Sequence, residues 1–295
     1  EFRRVLFRSG KGNKTTPARA VAWLLFAAAA QGPAFPFVYA GNAGFFMSVL
    51  HLWQRRATIG DLWRGLLQAI ELIITGDPAL AKIVALTMRV SGTALLFSSL
   101  LGIPLGALLG LRRFAGRRLL VALLYTGMGF PPVVIGLLVY LLLSRSGPLG
   151  ALHSPIVPAL FTPSAMILAQ TIISFPLVAG FTMAAVMGVD PLLRLQVRAL
   201  GATPAQTVWA VLSEARIGVI VAIIAGFGSI ISEVGAVMLV GGNIEGRTRV
   251  LTTAVVLETG KGNFDLAMAL GVILLTLAFV TNLAMIYLQG RTFNE

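Results

Sequence analysis

The stretch VRALGATPAQTVWAVLSEAR (residues 197–216) places polar, helix-forming sequence between two of the longest apolar runs in the chain. The Asp-Pro pair at 190–191, just upstream, suits the cap and first turn of a short helix. Gly201 lies where that helix would end, since glycine accepts a left-handed cap without steric cost. The Thr-Pro pair at 203–204 starts a second helix in the same way. The sequence therefore predicts two short helices joined at a glycine.

The composition around this stretch is that of a membrane protein. Hydrophobic residues make up 57% of the chain and charged residues only 12%, and the mean hydropathy is +0.89. Soluble domains carry roughly 25% charged residues because their surfaces face water. A bilayer crossing needs roughly 20 predominantly apolar helical residues. Five runs meet this requirement and are predicted to span the membrane: 90–111, 119–144, 163–189, 217–240 and 266–290.

These runs predict an all-α integral membrane fold with about five core transmembrane helices in one domain over residues 61–291. A further helix is expected over 61–74, where charged and apolar residues recur at helical spacing, and TGDP (75–78) would end it. Residues 1–60 form a poorly defined N-terminal segment. Its first nine residues, EFRRVLFRS, look non-native and are left out of the fold prediction.

The positive charge is concentrated in two short segments. The formal net charge is +12, and residues 1–19 together with RRFAGRR (112–118) supply nine of those charges. Neither segment interleaves aromatic and base-reading polar residues, so we expect no nucleic acid partner. Arginine-rich short loops face the cytoplasm. This rule places 112–118 and 190–216 inside and 241–265 outside a prokaryotic inner membrane.

Proline residues interrupt several of the predicted spans. Proline removes a backbone donor and crowds the preceding turn, and membrane bundles tolerate it where neighbouring helices satisfy the freed carbonyls. The predicted helix kinks are therefore at Pro104, Pro131, Pro132 and Pro176.

The sequence offers no catalytic or metal-binding constellation. It has no cysteine, its two histidines (His51 and His153) are isolated, and no G-x-x-x-x-G-K-[ST] phosphate loop is present. We therefore expect a transport subunit with no catalytic residues, no metal and no bound cofactor. The energy for transport would come from a partner or from a gradient.

From about residue 62 to residue 291, the chain resembles permeases of the tungstate-type ABC importers, relatives of the molybdate and sulfate permeases. The passages that carry the resemblance are GFPPVVIGLLVYLLLSRSGPLG (129–150), ISEVGAVMLVGGNIEGRTRVLTTAVVLETGKGNFDLAMALG (231–271) and SEAR (213–216). The segment ALGATP (199–204) is similar to the cytoplasmic EAA loop of ABC importer permeases, with Gly201 at the glycine of that motif. Leu195–Gln196–Val197 and Ser213–Glu214 depart from it, whereas Val211 takes its isoleucine position.

The resemblance implies the membrane subunit of an ATP-driven importer of an oxyanion, with tungstate favoured and molybdate or sulfate as alternatives. The implied partners are a second copy of the chain, an ABC ATPase subunit that binds ATP and Mg²⁺, and an extracytoplasmic oxyanion-binding protein. Coupling to the ATPase is expected to involve Asp190, Arg198, Ala199, Leu200, Gly201 and Ala202.

Glu233 is the only acid well inside a predicted span. Ionisable groups at this depth are costly and are usually paired or functional. We expect its carboxylate to accept backbone N–H groups from the adjacent glycine-rich loop, or to pair with Arg247 or Arg249, because contact with an anionic cargo would be repulsive. The stretch 240–250 can form an anion-receptive nest or a solvated turn. The predicted outer gate and pathway comprise Glu233, Gly235, Gly241, Gly242, Asn243, Arg247 and Arg249.

A stand-alone channel or a gradient-driven secondary carrier is the alternative function. Two features favour the ABC permease: the paired-helix loop at 190–216, which a carrier does not require, and the absence of an inverted repeat in the sequence. Paired acids and bases inside the spans would instead indicate a proton-coupled carrier.

Overall fold

The computed structural model describes residues 59–289 apart from 153, 155 and 156. The N-terminal segment predicted over 1–60 lies outside the described residues except for 59 and 60, which begin the first helix. Both histidines also lie outside the described residues. Within the described residues the chain is helical and contains no β-strand.

Eleven α-helices and one turn of 3-10 helix (Gly150–Leu152) make up the described chain. In chain order the helices are α1 (Ile59–Thr75), α2 (Pro78–Leu111), α3 (Arg117–Met128), α4 (Pro132–Leu143), α5 (Pro163–Met187), α6 (Pro191–Ala199), α7 (Pro204–Glu214), α8 (Arg216–Ile231), α9 (Gly235–Gly241), α10 (Leu251–Lys261) and α11 (Phe264–Gln289).

Three of these helices, α2, α5 and α11, are by themselves long and apolar enough to cross a membrane. Two bent pairs also qualify when each is taken together: α3 with α4, bent by 104°, and α7 with α8, bent by 71°. Counting each pair as one crossing gives up to five spans, the number predicted from the apolar runs, although the predicted run 217–240 covers α8 and α9 and does not include α7.

Two of the predicted spans are not single helices. The run 119–144 is divided between α3 and α4, because Pro131 has no N–H to donate and its extended backbone (φ −62°, ψ 122°) starts a new helix at Pro132. The run 217–240 is divided between α8 and α9 at residues 232–234. The first span, in contrast, is longer than predicted, since α2 begins at Pro78 with Asp77 as its cap.

The pair α2 and α5 forms the centre of the bundle. One face of α2 contacts α5 through three glycines spaced four residues apart, Gly102, Gly106 and Gly110. A Cβ on Gly106 would overlap the carbonyl oxygen of Ala179, so the two backbones touch directly. The hydroxyls of Ser98 and Ser174 form a buried hydrogen bond of 2.6 Å between the same helices. Small residues and hydroxyl pairs of this kind hold membrane helices together.

The bundle has two distinct ends. At one end, Ala107 of α2 and Val186 of α5 pack against Val211 of α7. At the other end, Leu143, Met166 and Val240 form a separate buried cluster. Between the ends, large apolar side chains cover the outside of the bundle; Leu96, Leu100, Leu275 and Phe279 are each at least 66% exposed. Such a surface suits lipid, where exposing an apolar side chain carries no hydration cost.

Candidate coupling loop and gate

The first helix of the candidate coupling loop, α6, is fixed by its two ends. Its N-cap is Asp190, whose Oδ1 accepts a hydrogen bond from the backbone N–H of Leu192 at 2.8 Å. Its C-terminal end turns at Gly201, whose φ of +86° is the left-handed conformation that favours glycine. Both features were predicted from the sequence and are confirmed.

The second helix, α7, begins with a capping box. The Thr203 hydroxyl accepts from the N–H of Gln206 (3.3 Å), and the Gln206 side chain accepts from the N–H of Thr203 (2.8 Å). Pro204 occupies the first turn, where a missing N–H costs nothing. The two-helix loop predicted over 190–216 is therefore present, with its helices at 191–199 and 204–214.

The loop is attached to the bundle mainly through α7. Thr207 and Val211 of α7 are buried, and Val211 packs against Ala107, Val186 and Val189. The helix α6 has no buried residue; its half-buried Leu193 packs against the same cluster, and the Nη2 of its half-buried Arg194 donates to the carbonyl of Val186 at 3.3 Å. One helix thus anchors the loop and the other faces outward.

The six predicted coupling residues lie together on the outward side of this loop. Asp190, Arg198, Ala199, Leu200 and Gly201 are exposed, and Ala202 is half-buried. Leu200 is 88% exposed, and Trp209 and Leu195 are 73% and 62% exposed. Apolar side chains displayed on a polar loop mark a surface that binds another protein. The coupling role of these residues remains a prediction.

Glu233 lies at the break between α8 and α9. Its Oε1 accepts the N–H of Ala236 in the first turn of α9 at 2.9 Å, and its backbone carbonyl accepts the hydroxyl of Thr252 at 3.1 Å. Of the two arrangements expected from the sequence, the structure therefore has the one in which the Glu233 carboxylate accepts a backbone N–H. Arg249 pairs instead with Glu245, at 3.1 Å.

The sequence prediction missed the residue that supports the break from the other side. Gln170 of α5 is 3% exposed, and its Nε2 donates to the carbonyl of Ile230 at 3.1 Å. This carbonyl belongs to the last turn of α8, where backbone acceptors lose their intrahelical partners. A lone amide inside the apolar run 163–189 was the available signal.

The glycines predicted for the gate lie where other chain segments approach closely. A Cβ on Gly235 would overlap Val133 of α4, and one on Gly241 would meet the sulfur of Met166 at 2.9 Å. Gly242 combines a φ of +71° with the ring of Phe161, which would be 2.7 Å from its Cβ. These contacts pack α9 against α4 and the start of α5.

The remaining predicted gate residues lie in the segment that follows α9. Asn243 has a φ of +50°, and its side-chain nitrogen donates to the carbonyl of Thr253 at 3.4 Å. Arg247 is exposed and Arg249 is partly buried. The structure thus brings the seven predicted gate residues together at the end of the bundle opposite the coupling loop. Their role in gating remains a prediction.

The four predicted kink positions fall into two groups. Pro104 and Pro176 lie inside continuous helices, α2 and α5. Pro131 and Pro132 lie instead at a complete break, as the cap and first residue of α4. The ring of Pro176 also packs against α3, since a Cβ on Gly127 would be 2.9 Å from its Cγ.

A lipid-facing helical bundle with broken crossings and an outward two-helix loop defines the chain as a membrane transport subunit. A family model described as "Binding-protein-dependent transport system inner membrane component" matches residues 102–294. The chain belongs to this family and is a multi-pass protein of the prokaryotic inner membrane.

Individual relatives agree with this assignment. The chain is 43% identical over 218 residues to a "Probable anion ABC transporter permease protein" of Haloferax volcanii, covering 72% of this chain and 92% of that protein. It is 37% identical over 225 residues to the "Tungstate uptake system permease protein TupB" of Peptoclostridium acidaminophilum, covering 76% and 96%.

The fold has solved counterparts. A structure of the MetNI methionine ABC transporter in inward-facing conformations matches with a TM-score of 0.56 and 21% identity, over 71% of this chain and 94% of that chain. A bacterial alginate ABC transporter matches with a TM-score of 0.58 and 20% identity, over 95% and 98%. At these identities the likeness concerns the fold, which is that of an ABC transporter permease.

Proposed function

We propose that this chain is the permease subunit of an ATP-driven importer that moves an oxyanion inward, with tungstate as the favoured cargo. The support is the 43% identity to a probable anion permease and the 37% identity to a tungstate uptake permease. More distant relatives are named for molybdate, at 32% identity, and sulfate, at 29%. Molybdate and sulfate are therefore the alternative cargoes.

The observation that carries the mechanism is the exposed surface of the coupling loop. Leu200 projects beside Gly201 at the end of α6, while Thr207 and Val211 hold α7 to the bundle. A partner that binds this surface can therefore move α5 and α8, the helices on either side of the loop. The proposed partner is an ABC ATPase subunit, which binds ATP and Mg²⁺ and hydrolyses the nucleotide, so this chain carries no cofactor and no catalytic residue.

The complete transporter would contain two copies of this chain, two ATPase subunits and an extracytoplasmic oxyanion-binding protein. Closure of the ATPases on ATP would draw the two coupling loops together and turn the cavity between the two permeases outward. This is a rigid-body change of the kind that switches many two-state proteins.

The gate residues have a supporting role in this proposal. The Glu233 carboxylate accepts a backbone N–H, and the glycines beside it allow α9 to contact α4 and α5 closely. Because a carboxylate repels an oxyanion, Glu233 would organise the break between α8 and α9 rather than contact the cargo.

Reconstitution tests the proposal. The chain is placed in vesicles with an ABC ATPase subunit and an oxyanion-binding protein from the same organism, and uptake of radiolabelled tungstate, molybdate and sulfate is measured. We expect tungstate uptake with ATP and none with ADP. Uptake by this chain alone, driven by an ion gradient without ATP, would instead establish a secondary carrier.

A further inference from the structure

A cavity of about 710 Å³ lies between the first turns of α2 and the segment 242–250, which we call the arginine loop. Four cationic side chains line it: Lys82 and Arg89 from α2, and Arg247 and Arg249 from the loop. Two acids, Asp77 and Glu245, are also in its wall. Lys82 and Arg89 were not among the residues that the sequence singled out.

The acids in this wall are already engaged, whereas three of the cations are not. Asp77 caps α2, accepting the N–H of Leu80 at 2.7 Å, and Glu245 pairs with Arg249. In the described part of the chain, the ion pairs formed involve neither Lys82 nor Arg89 nor Arg247. The cavity therefore has an excess of uncompensated positive charge.

The two α2 cations are placed for a common ligand. They are seven residues apart, which is close to two helical turns, so they lie on the same face about 10 Å apart along the axis. Both are exposed. An anion bound between the two side chains is attracted by both positive charges.

The opposite wall is preorganised by hydrogen bonds. The Thr248 hydroxyl donates to the carbonyl of Gly241 (2.6 Å) and accepts the N–H of Ile244 (2.9 Å). The N–H groups of residues 247, 248 and 249 all donate to the Ile244 carbonyl. The N–H of Leu251 donates to the buried hydroxyl of Thr87 at 3.0 Å, which ties the loop to α2 two residues before Arg89.

Arg249 retains unused hydrogen-bonding capacity in this arrangement. Its side chain is 18% exposed, one terminal nitrogen pairs with Glu245, and its Nε is buried without a hydrogen-bond partner. A guanidinium donates through several N–H groups in a fixed planar fork, a geometry that matches tetrahedral oxyanions. Buried donors of this kind are normally satisfied, so the Arg249 Nε–H is free to take an added acceptor.

The cavity also lies at the correct end of the bundle for an entry site. Arg89 is 18 residues from Ala107, where α2 meets the coupling loop cluster, so it is about 27 Å away along the helix. The arginine loop directly follows α9, which begins three residues after Ser232 at the end of α8. The residues that follow the arginine loop link it to both walls: the Leu251 N–H donates to Thr87 of α2, and the Thr252 hydroxyl donates to the Glu233 carbonyl at the break.

We propose that Lys82, Arg89, Arg247 and Arg249 form an entry site that binds the divalent tetrahedral oxyanion before it passes the gate. This inference rests on the proposed function, because it assigns a receiving site to the proposed cargo. The site holds the anion released by the external binding protein and raises its local concentration at the break between α8 and α9.

Direct binding tests the site. Radiolabelled tungstate is added by equilibrium dialysis to the permease–ATPase complex in lipid nanodiscs, without the binding protein. We expect saturable binding, with an affinity about tenfold lower in Arg89→Gln and in Arg247→Gln, because each variant loses a charge-assisted contact. Arg89→Lys retains the charge and should retain most of the binding.

Arg145→Gln is the matched control. Arg145 is an exposed arginine in the segment after α4, at the same end of the bundle, and it does not line the cavity. Equal affinity in wild type, Arg89→Gln and Arg145→Gln would overturn the proposal, as would the absence of saturable binding to the wild-type complex. Because Arg247 lies in the exposed loop, its variant tests the site even if Arg89→Gln fails to fold.

A second measurement separates an anion site from a protein-docking surface. The concentration of binding protein that gives half-maximal ATPase stimulation should be unchanged in Arg89→Gln, while the maximal rate of tungstate uptake falls. A rise in that concentration with tungstate binding unchanged would show that the cations hold an acidic face of the binding protein, and would overturn the entry site. If wild-type vesicles import none of the three oxyanions, the proposed cargo fails, independently of the variants.

Discussion

The side-chain amide of Gln170 donates to the carbonyl oxygen of Ile230 at 3.1 Å, inside the bundle and 60 residues away along the chain. This contact satisfies an acceptor at the end of α8, just before the break at Glu233. Gln170→Leu should lower the free energy of unfolding by about 1 kcal/mol, because it removes the buried side-chain hydrogen bond to a carbonyl that otherwise accepts only the backbone N–H groups of the break. Thermal unfolding in detergent measures the change. Thr276→Val, at an exposed hydroxyl bonded only within α11, is the control and should have a smaller effect.

The contact of α2 with α5 predicts that Gly106 tolerates no side chain. Gly106→Ala should cost about 1–3 kcal/mol, because the added methyl overlaps the backbone of α5. Gly92, on the same helix, has nothing within 4 Å of its Cβ position. Gly92→Ala should therefore be neutral or stabilising by up to about 1 kcal/mol. Equal melting temperatures for the two variants would contradict the packing we describe.

The end of α6 predicts a variant that separates ATP hydrolysis from transport. Gly201→Leu should strain the left-handed turn at φ +86° and so disturb the loop surface that meets the ATPase, while the membrane fold stays intact because nothing lies within 4 Å of its Cβ position. We expect uptake to fall about tenfold or more, with hydrolysis retained. Gly116→Leu is the control, because Gly116 also has a positive φ and open space around it, in the turn before α3. A Gly201→Leu transporter that pumps normally would remove the coupling role of this residue.

The hydrogen bond from Ala236 to Glu233 predicts that the acceptor matters more than the charge. Glu233→Ala removes the side-chain acceptor for the first-turn N–H of α9 and should cost about 1 kcal/mol and reduce uptake. Glu233→Gln keeps a side-chain oxygen in place and should retain most of the stability and uptake. Both quantities are measured on the same reconstituted samples. If Gln impairs transport as much as Ala does, the negative charge itself is required and the capping role is insufficient.

The environment of Glu258, at the junction of α10 and α11, predicts that the stability of the fold depends on pH. Hydrogen bonds from Lys261 (2.7 Å) and Asn263 (2.8 Å) lower the pKa of the Glu258 carboxyl below its ordinary value, against the opposing effect of burial. The helix α10 is not among the candidate spans, so this carboxyl lies outside the crossing segments.

The sign of that dependence follows from the direction of the shift. A carboxyl with a lowered folded-state pKa stabilises the fold above its unfolded pKa, and this contribution is lost as pH falls through the folded pKa. Glu258→Gln should therefore lower the melting temperature at neutral pH, and the difference from wild type should shrink as the pH falls below the ordinary carboxyl range. A difference that stays constant with pH would show that ionisation of Glu258 contributes nothing.

Local features of the chain were predictable from the sequence. The cap at Asp190, the turn at Gly201 and the capping box at Thr203 each depend on residues within four positions of one another. Their geometry is set by short-range sterics and hydrogen bonds, which can be inferred from the residue types at neighbouring positions. The number of crossings was also predictable, because each depends on the length of an apolar run.

Features that depend on which helices meet were not predictable in the same way. Nothing in the run 119–144 shows that its proline pair gives a 104° bend rather than a kink. The gap between Lys82 and Arg247 is 165 residues, and only the tertiary structure places both in one cavity.

The sequence by itself determined the membrane class and the two-helix loop, because hydropathy and helix caps act over a few residues to one bilayer thickness, and its resemblance to known permeases indicated the family. The tertiary structure decided that the Glu233 carboxylate accepts a first-turn N–H of α9 instead of pairing with an arginine, and that Gln170 donates to the end of α8 beside it. Those choices depend on which acceptors remain unpaired after the helices pack. In an apolar bundle without water each such acceptor must find its partner within the protein, and the packing of α5 against α8 selects that partner.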